Sequence, residues 1–285
     1  MSGHYGPRSM PASALLAVLA AALLHASWNL IVKSSSDRLV AAATQVVLVG
    51  MAFIPVLIWT GLPLEAWEYV IASAVVQVGY LYSLASAYDR ADLSFVYPLA
   101  RGTAPLLIAV GGLIGLSTPA TGIGWVALAL ICGGVIGIGL TAESHRGVNW
   151  SLITGVLIAA YITIDGAGVR QAESTLAYTA FLYAVTGLLL MPVVLGAKGI
   201  DKIKGALRLE WKRHLFAGGA SLVSYGLLLA ASLVAPLSLV AAARETGVLF
   251  ATVGGWWFLH ERLSRVRVLA AVVIAAGVAL LALGR

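Results

Sequence analysis

Ten long apolar stretches run almost end to end through this chain, and its second half repeats its first. Residues 93–110 read LSFVYPLARGTAPLLIAV and residues 237–253 read LSLVAAARETGVLFATV. With one residue skipped near Pro98, Arg101 falls on Arg244 and the pair Gly111, Gly112 falls on Gly254, Gly255. Gly134 then falls on Gly277 with no further gap. A second match pairs Tyr80 of GYLYSLASA with Tyr225 of SYGLLLAAS.

A helix that crosses a bilayer needs about 20 mostly apolar residues. The pattern predicts spans near 11–33, 39–60, 67–88, 93–115, 119–140, 148–169, 176–197, 213–234, 237–259 and 266–283. Hydrophobic residues make up 60% of the chain and charged ones 11%, too few to give a soluble domain of this size its polar surface. The apolar runs are continuous rather than alternating, which argues against a barrel. The expected fold is therefore an all-α integral membrane protein of ten helices. Five spans per repeat is an odd number, so the second copy enters the membrane upside down. The two inverted repeats are expected at 1–142 and 143–285. Two related halves can rock between states open to either side, the usual architecture of a transporter.

The net charge of +6 does not imply nucleic acid, because the basic residues gather at span ends. Of the 18 Lys and Arg, 13 lie in loops after odd-numbered spans, three at termini or in the other loops, and two, Arg101 and Arg244, inside spans. The positive-inside rule then expects both termini outside and the protein in the inner (plasma) membrane. The first apolar run is long enough to span, so an uncleaved anchor is expected rather than a signal peptide. Cys132 stands alone, which excludes an internal disulfide, and packing is its expected role.

Charges and polar groups held inside apolar spans are expensive and mark a cavity or a partner. Arg101 has Tyr97 and Ser94 on the same helical face, in a span that also carries Pro98 and Pro105. A guanidinium here suits a carboxylate. Arg244 and Glu245 are adjacent and diverge by about 100° on a helix, so one can face a cavity while the other pairs elsewhere. Asp165, one turn after Tyr161 and flanked by Gly166 and Gly168, can carry a proton or hold an ammonium. His25, Trp28 and Asn29 share a face of the first span. Tyr80 has Gln77 at i−3 and a repeat partner in Tyr225, and such aromatics can stack on a ring or a cation. Trp256 and Trp257 read instead as an aromatic belt. The stripes Ala129, Gly133, Gly137 and Ala271, Ala275, Ala279 predict that the fifth and tenth spans pack together. Residues 198–214 mix basic and apolar positions and are expected along the cytoplasmic surface.

The stretch VLFATVGGWWFLHERLSRVRVLAAVVIAAGVALL at 248–281 resembles the C-terminal signature of EamA-type proteins of the drug/metabolite transporter superfamily. The matching positions are Glu261, Arg262, Leu263 and Gly277, whereas Thr118 stands at the place of Glu261 in the first half. The resemblance implies ten helices in inverted repeats and export of small metabolites. Members similar in this way include exporters of amino acids, aromatic ones among them.

The run His260-Glu261-Arg262-Leu263-Ser264 lacks the second His of a zinc protease, and there is no phosphate-binding loop. No enzyme activity, cofactor or metal is expected. The expected partners are a small-molecule substrate and the lipid bilayer, with the chain a monomer. A cavity lined by the first, third, fourth, sixth, eighth and ninth spans is expected to place Arg101 or Arg244 against a carboxylate, with Asp165 and the tyrosines against an ammonium or a ring. The competing readings are a facilitative permease for other metabolites or cationic drugs, and a membrane-embedded receptor or enzyme.

Overall fold

The computed structural model describes residues 11–115, 122–141, 145–235, 240, 243–244, 246–261 and 264–283, and these are all helices and their connections. Helix α1 runs Ala12–Ser34, α2 Arg38–Ala52, α3 Ile54–Thr60, α4 Trp67–Tyr88, α5 Leu93–Gly115 and α6 Gly122–Gly139. In the second half, α7 runs His145–Gly168, α8 Thr175–Lys198, α9 Ile200–Val234, α10 Gly247–Leu259 and α11 Arg265–Leu283.

Local chemistry sets the boundaries. Asp37 caps α2 by accepting the Val40 amide at 3.2 Å, and Ser174 caps α8 by accepting the Ala177 amide at 3.2 Å. Pro55 cannot donate into the preceding turn, and the second apolar stretch bends by 41° between α2 and α3. Pro98 and Pro105 leave α5 a continuous helix. At Gly199 the backbone takes φ +79°, a conformation open to glycine, and this one residue turns the chain from α8 into α9. No breaker separates residues 200 and 213, so the basic segment joins the eighth span in one 35-residue helix, longer than the sequence pattern suggests.

Among the described residues, five helical segments are long and apolar enough to cross a membrane: Ala12–Ser34, Leu64–Tyr88, His145–Gly168, Thr175–Lys198 and Ile200–Val234. The bent α2–α3 pair makes a sixth, and shorter apolar helices include α10. Exposed positions are large and apolar, as at Ile58, Trp59, Leu188 and Trp257, while the interior holds Asn29, Gln77, Arg101, Asp165 and Arg244. Such a surface suits lipid.

The helices pack in related pairs. α1 lies against α9 and α10, while α7 lies against α4 and α5. α2 packs on α8, and α6 on α11. At the α6–α11 crossing, a Cβ on Gly134 would sit 2.5 Å from Ile274 Cγ1 and 2.9 Å from the Ala270 carbonyl. Reciprocally, a Cβ on Gly277 would sit 2.9 Å from Leu130 Cβ and 3.0 Å from the Ala127 carbonyl. The expected pairing of these two helices is present, but of the two expected stripes, Gly137, against Ala270, and the buried Ala271 lie on the packed side. Ala129 and Gly133 point outward, and Ala127, Ile131, Gly134 and Ile138 form the buried stripe. A spacing of four in small residues leaves the facing side open, whereas burial follows the i, i+4, i+7, i+11 ridge.

Candidate functional site

Side chains from seven segments, polar ones from six of them, meet at one small cavity. α1 supplies His25 and Trp28, α2 Val46, α4 Gln77, Tyr80 and Leu81, and α7 Tyr161. α8 supplies Tyr183, α9 Ser221 and Tyr225, and the helical residues before α10 supply Arg244. The cavity measures about 20 Å3, room for a single water. Its rings are in contact: Tyr80 and Tyr161 lie 5.2 Å apart, and Tyr161 and Tyr225 5.8 Å apart.

Arg244 dominates the electrostatics. It is 2% exposed, and its Nη2 donates to His25 Nδ1 at 2.8 Å. Trp28 Nε1 donates to the same nitrogen at 3.2 Å. A nitrogen that accepts two donors carries no proton, so the His25 ring is held with Nδ1 as acceptor. The guanidinium sits over the Tyr225 ring at 5.7 Å. Its Nε and Nη1 have no hydrogen-bond partner among the described residues. A buried guanidinium with two N–H groups left over is costly unless an anion completes it.

The sequence candidates separate into layers. His25, Trp28, Gln77, Tyr80, Tyr161, Tyr225 and Arg244 line the cavity. Arg101 is buried nearby, within electrostatic range of His25 and Tyr80. Tyr97 lies 5.9 Å from the His25 ring, with its hydroxyl against Gly247. Asn29 faces away from the cavity. Its amide donates to the His25 carbonyl at 2.8 Å, and its Oδ1 accepts from the Tyr88 hydroxyl at 2.6 Å. Ser94 is at the start of α5, where its amide donates to Glu261. Glu245 lies outside the described residues, as do Thr118, Arg262 and Leu263.

Asp165 also stands outside the lining. It is fully buried one layer behind Tyr225, whose hydroxyl donates to its Oδ2. Tyr178 donates to Oδ1 at 2.7 Å, and Gln77 Nε2 approaches Oδ2 at 3.4 Å. Tyr178 and Tyr225 thus both donate to the carboxylate.

The lining residues that the sequence did not single out are Val46, Leu81, Tyr183 and Ser221. Ser221 lies one turn before Tyr225, and its hydroxyl is 2.7 Å from that of Tyr183. The i, i+4 pair Ser221, Tyr225 on one helix face was the available signal.

Glu261 of the C-terminal signature has a structural task. The α10 helix ends at His260 with φ 53°, and the Glu261 amide returns to the Gly255 carbonyl at 3.1 Å. This closing turn carries the Glu261 carboxylate to the start of α5, where Oε1 and Oε2 accept the Leu93 and Ser94 amides at 2.7 and 2.9 Å. One acidic residue thus ties the end of α10 to the helix that carries Tyr97 and Arg101.

Residues 145–283 match the model of the EamA-like transporter family. These residues make up the second half of the chain, which is thus similar to that family of the drug/metabolite transporter superfamily. That match and the membrane-spanning helices indicate a multi-pass membrane protein, and the matched family is one of small-metabolite transporters. A solved structure titled only "Crystal structure of protein" is similar to this chain, with a TM-score of 0.58 at 18% identity, over 95% of this chain and 98% of that one. That likeness concerns the fold. No curated protein matches the chain.

Proposed function

We propose that this chain is a secondary transporter that exports small amphiphilic metabolites bearing a carboxylate, amino acids and aromatic ones among them, by alternating access. The observation that carries this reading is the pair of unpartnered N–H groups on buried Arg244, set among aromatic rings. A carboxylate would complete the guanidinium fork, and Trp28, Tyr80, Tyr161 and Tyr225 would cover an apolar or aromatic body. The cavity is far below the roughly 300–1,000 Å3 of small-molecule pockets, so binding goes with an outward movement of the lining helices.

The architecture proposed for that movement is ten spans in two inverted five-helix repeats, 1–142 and 143–285, with both termini outside the inner membrane and the monomer as the working unit. Its support is the exchange of packing partners. α1 meets α9 and α10 as α7 meets α4 and α5, and the repeat-related Gly134 and Gly277 each receive the other's helix.

The test is transport of labelled phenylalanine and threonine by purified protein in liposomes, beside the variants Arg244→Lys and Arg244→Ala. Saturable flux of either probe, lost in Arg244→Ala, is expected. Flux unaffected by Arg244→Ala would remove the carboxylate site. Folded wild-type protein that moves neither probe would remove the amino-acid reading.

A further inference from the structure

Asp165 is a buried charge that lies outside the substrate cavity. It lies deep in α7 and is fully buried, yet none of the ion pairs among the described residues includes it. A carboxylate enclosed in a bilayer-spanning bundle without a cation is kept for function more often than for stability. Here its charge is met by hydroxyls and one amide: Tyr225 and Gln77 on Oδ2, Tyr178 on Oδ1.

These donors connect two regions. Tyr225 and Gln77 both line the cavity. Tyr178 is near the start of α8, and its hydroxyl packs at Gly168 beside Tyr69, at the end of the bundle away from Lys33 and Glu261. The ionisable groups that interact with Asp165 are Tyr178 and Tyr183 from α8 and Tyr225 from α9; Tyr69 of α4 lies beside Tyr178, and Tyr161 of α7 lies between the rings of Tyr225 and Tyr80. Arg170 is turned to the carbonyls of Gly166 and Ser232. Arg244 sits on the far side of the Tyr225 ring.

We propose that Asp165 is the proton-carrying site of the transport cycle, communicating with the substrate site through Tyr225. The proposal rests on the transport reading above. A proton from water adds to Oδ2, and the carboxylate becomes a neutral carboxylic acid. Its new O–H is a donor and that oxygen becomes a much weaker acceptor, so the Tyr225 hydroxyl is driven to turn and accept the new O–H or to find another partner. Tyr225 is also the ring beneath Arg244, so loading the proton disturbs the surface against which the substrate carboxylate binds. Deprotonation toward the other side of the membrane restores the present arrangement. Two ligands that bias one element in this way are coupled reciprocally.

The experiment uses the full-length protein in liposomes with labelled phenylalanine as probe, in two modes: exchange at equal pH, and accumulation under an imposed gradient of about one pH unit. With one proton per substrate, that gradient drives up to about tenfold accumulation in wild type. Asp165→Asn is expected to exchange within about twofold of wild type while accumulation disappears, and Asp165→Glu is expected to recover part of it. Gradient-driven accumulation by Asp165→Asn at the wild-type level overturns the proposal, as does wild-type exchange that ignores the gradient. Both results leave the transport reading standing. Failure of folded wild-type protein to exchange phenylalanine defeats the transport reading for this probe, and the coupling with it. If Asp165→Asn does not fold, wild type alone decides. A pH-sensitive dye trapped in liposomes free of substrate must report proton movement when phenylalanine is added, and net phenylalanine uptake without proton movement overturns the assignment.

Discussion

Two adjacent glycines in α6 should respond to the same substitution with opposite signs. A Cβ at Gly134 would meet Ile274 Cγ1 at 2.5 Å, the Ala270 carbonyl oxygen at 2.9 Å and the Ile274 amide nitrogen at 3.2 Å. The Ile274 side chain can swing away, but the other two atoms are α11 backbone, so relief requires the helices to separate. Overpacking of this kind costs about 1–3 kcal/mol. At Gly133 a Cβ meets nothing within 4 Å. Gly133→Ala therefore adds no clash, and the gain in helix propensity is up to about 1 kcal/mol. The assay is thermal stability of the detergent-purified protein, read as the midpoint for loss of the monodisperse elution peak after heating. Gly134→Ala should lower that midpoint, Gly133→Ala should hold or raise it, and Gly134→Ala with Ile274→Val should recover only part of the loss, because the Ala270 carbonyl remains. Gly134→Ala as stable as wild type, or Gly133→Ala the worse of the two, would refute the assigned face of the crossing.

Glu261→Ala removes two charge-assisted bonds to buried amides, and at about 1.5–3 kcal/mol each it should lower the thermal midpoint more than Gly134→Ala does. Glu261→Gln keeps an acceptor for one amide and should fall between the two in the same assay. Tyr88→Phe frees Asn29 Oδ1 from its partner and should cost about 1 kcal/mol without changing substrate selectivity in the liposome assay. Burial pushes the Asp37 carboxyl up, but hydrogen bonds from Lys198, the Val40 amide and Lys202 outweigh it and hold the group below the usual carboxylate range. A depressed folded value means the stabilisation is present above the unfolded value and is lost as pH falls through the folded one. Asp37→Ala should therefore be less stable than wild type near pH 7, and melting curves should show the gap closing as pH drops below about 4.

The helices were legible where an apolar run has its own stop. Trp67–Tyr88 and Leu93–Gly115 coincide with the runs read from the sequence, bounded by polar turn residues such as Asp89 and Asp92. The face a helix buries was less legible. In a membrane both faces are apolar, so the usual contrast between wet and dry sides is missing, and the outward stripe of Ala129 and Gly133 resembles the inward one. The cavity was recoverable where polar or aromatic residues repeat between the halves, as with Tyr80 and Tyr225. Val46 and Leu81 carry no such mark and are known as lining only from the packing. The sequence also cannot separate a residue that faces the cavity from one that is satisfied behind it. Asn29 shares a helix face with His25, but Tyr88, 59 residues away in the chain, already bonds to its carbonyl.

The same distinction explains why the two buried charges, Arg244 and Asp165, should not be read as a pair. Were they partners, the bundle would hold a closed ion pair, whose value to stability is small and whose use in transport would be nil. Instead the ring of Tyr225 stands between them, with its hydroxyl on Asp165 and its face toward Arg244. Each charge is left open to a different ligand, an anion with a planar carboxylate for the guanidinium and a proton for the carboxylate. The residue between them is the one whose loss should separate binding from coupling. Tyr225→Phe keeps the ring beneath Arg244 and removes only the hydroxyl. Gradient-driven accumulation of phenylalanine should therefore fall further than exchange at equal pH. Equal losses in the two modes would mean that Tyr225 serves the substrate alone.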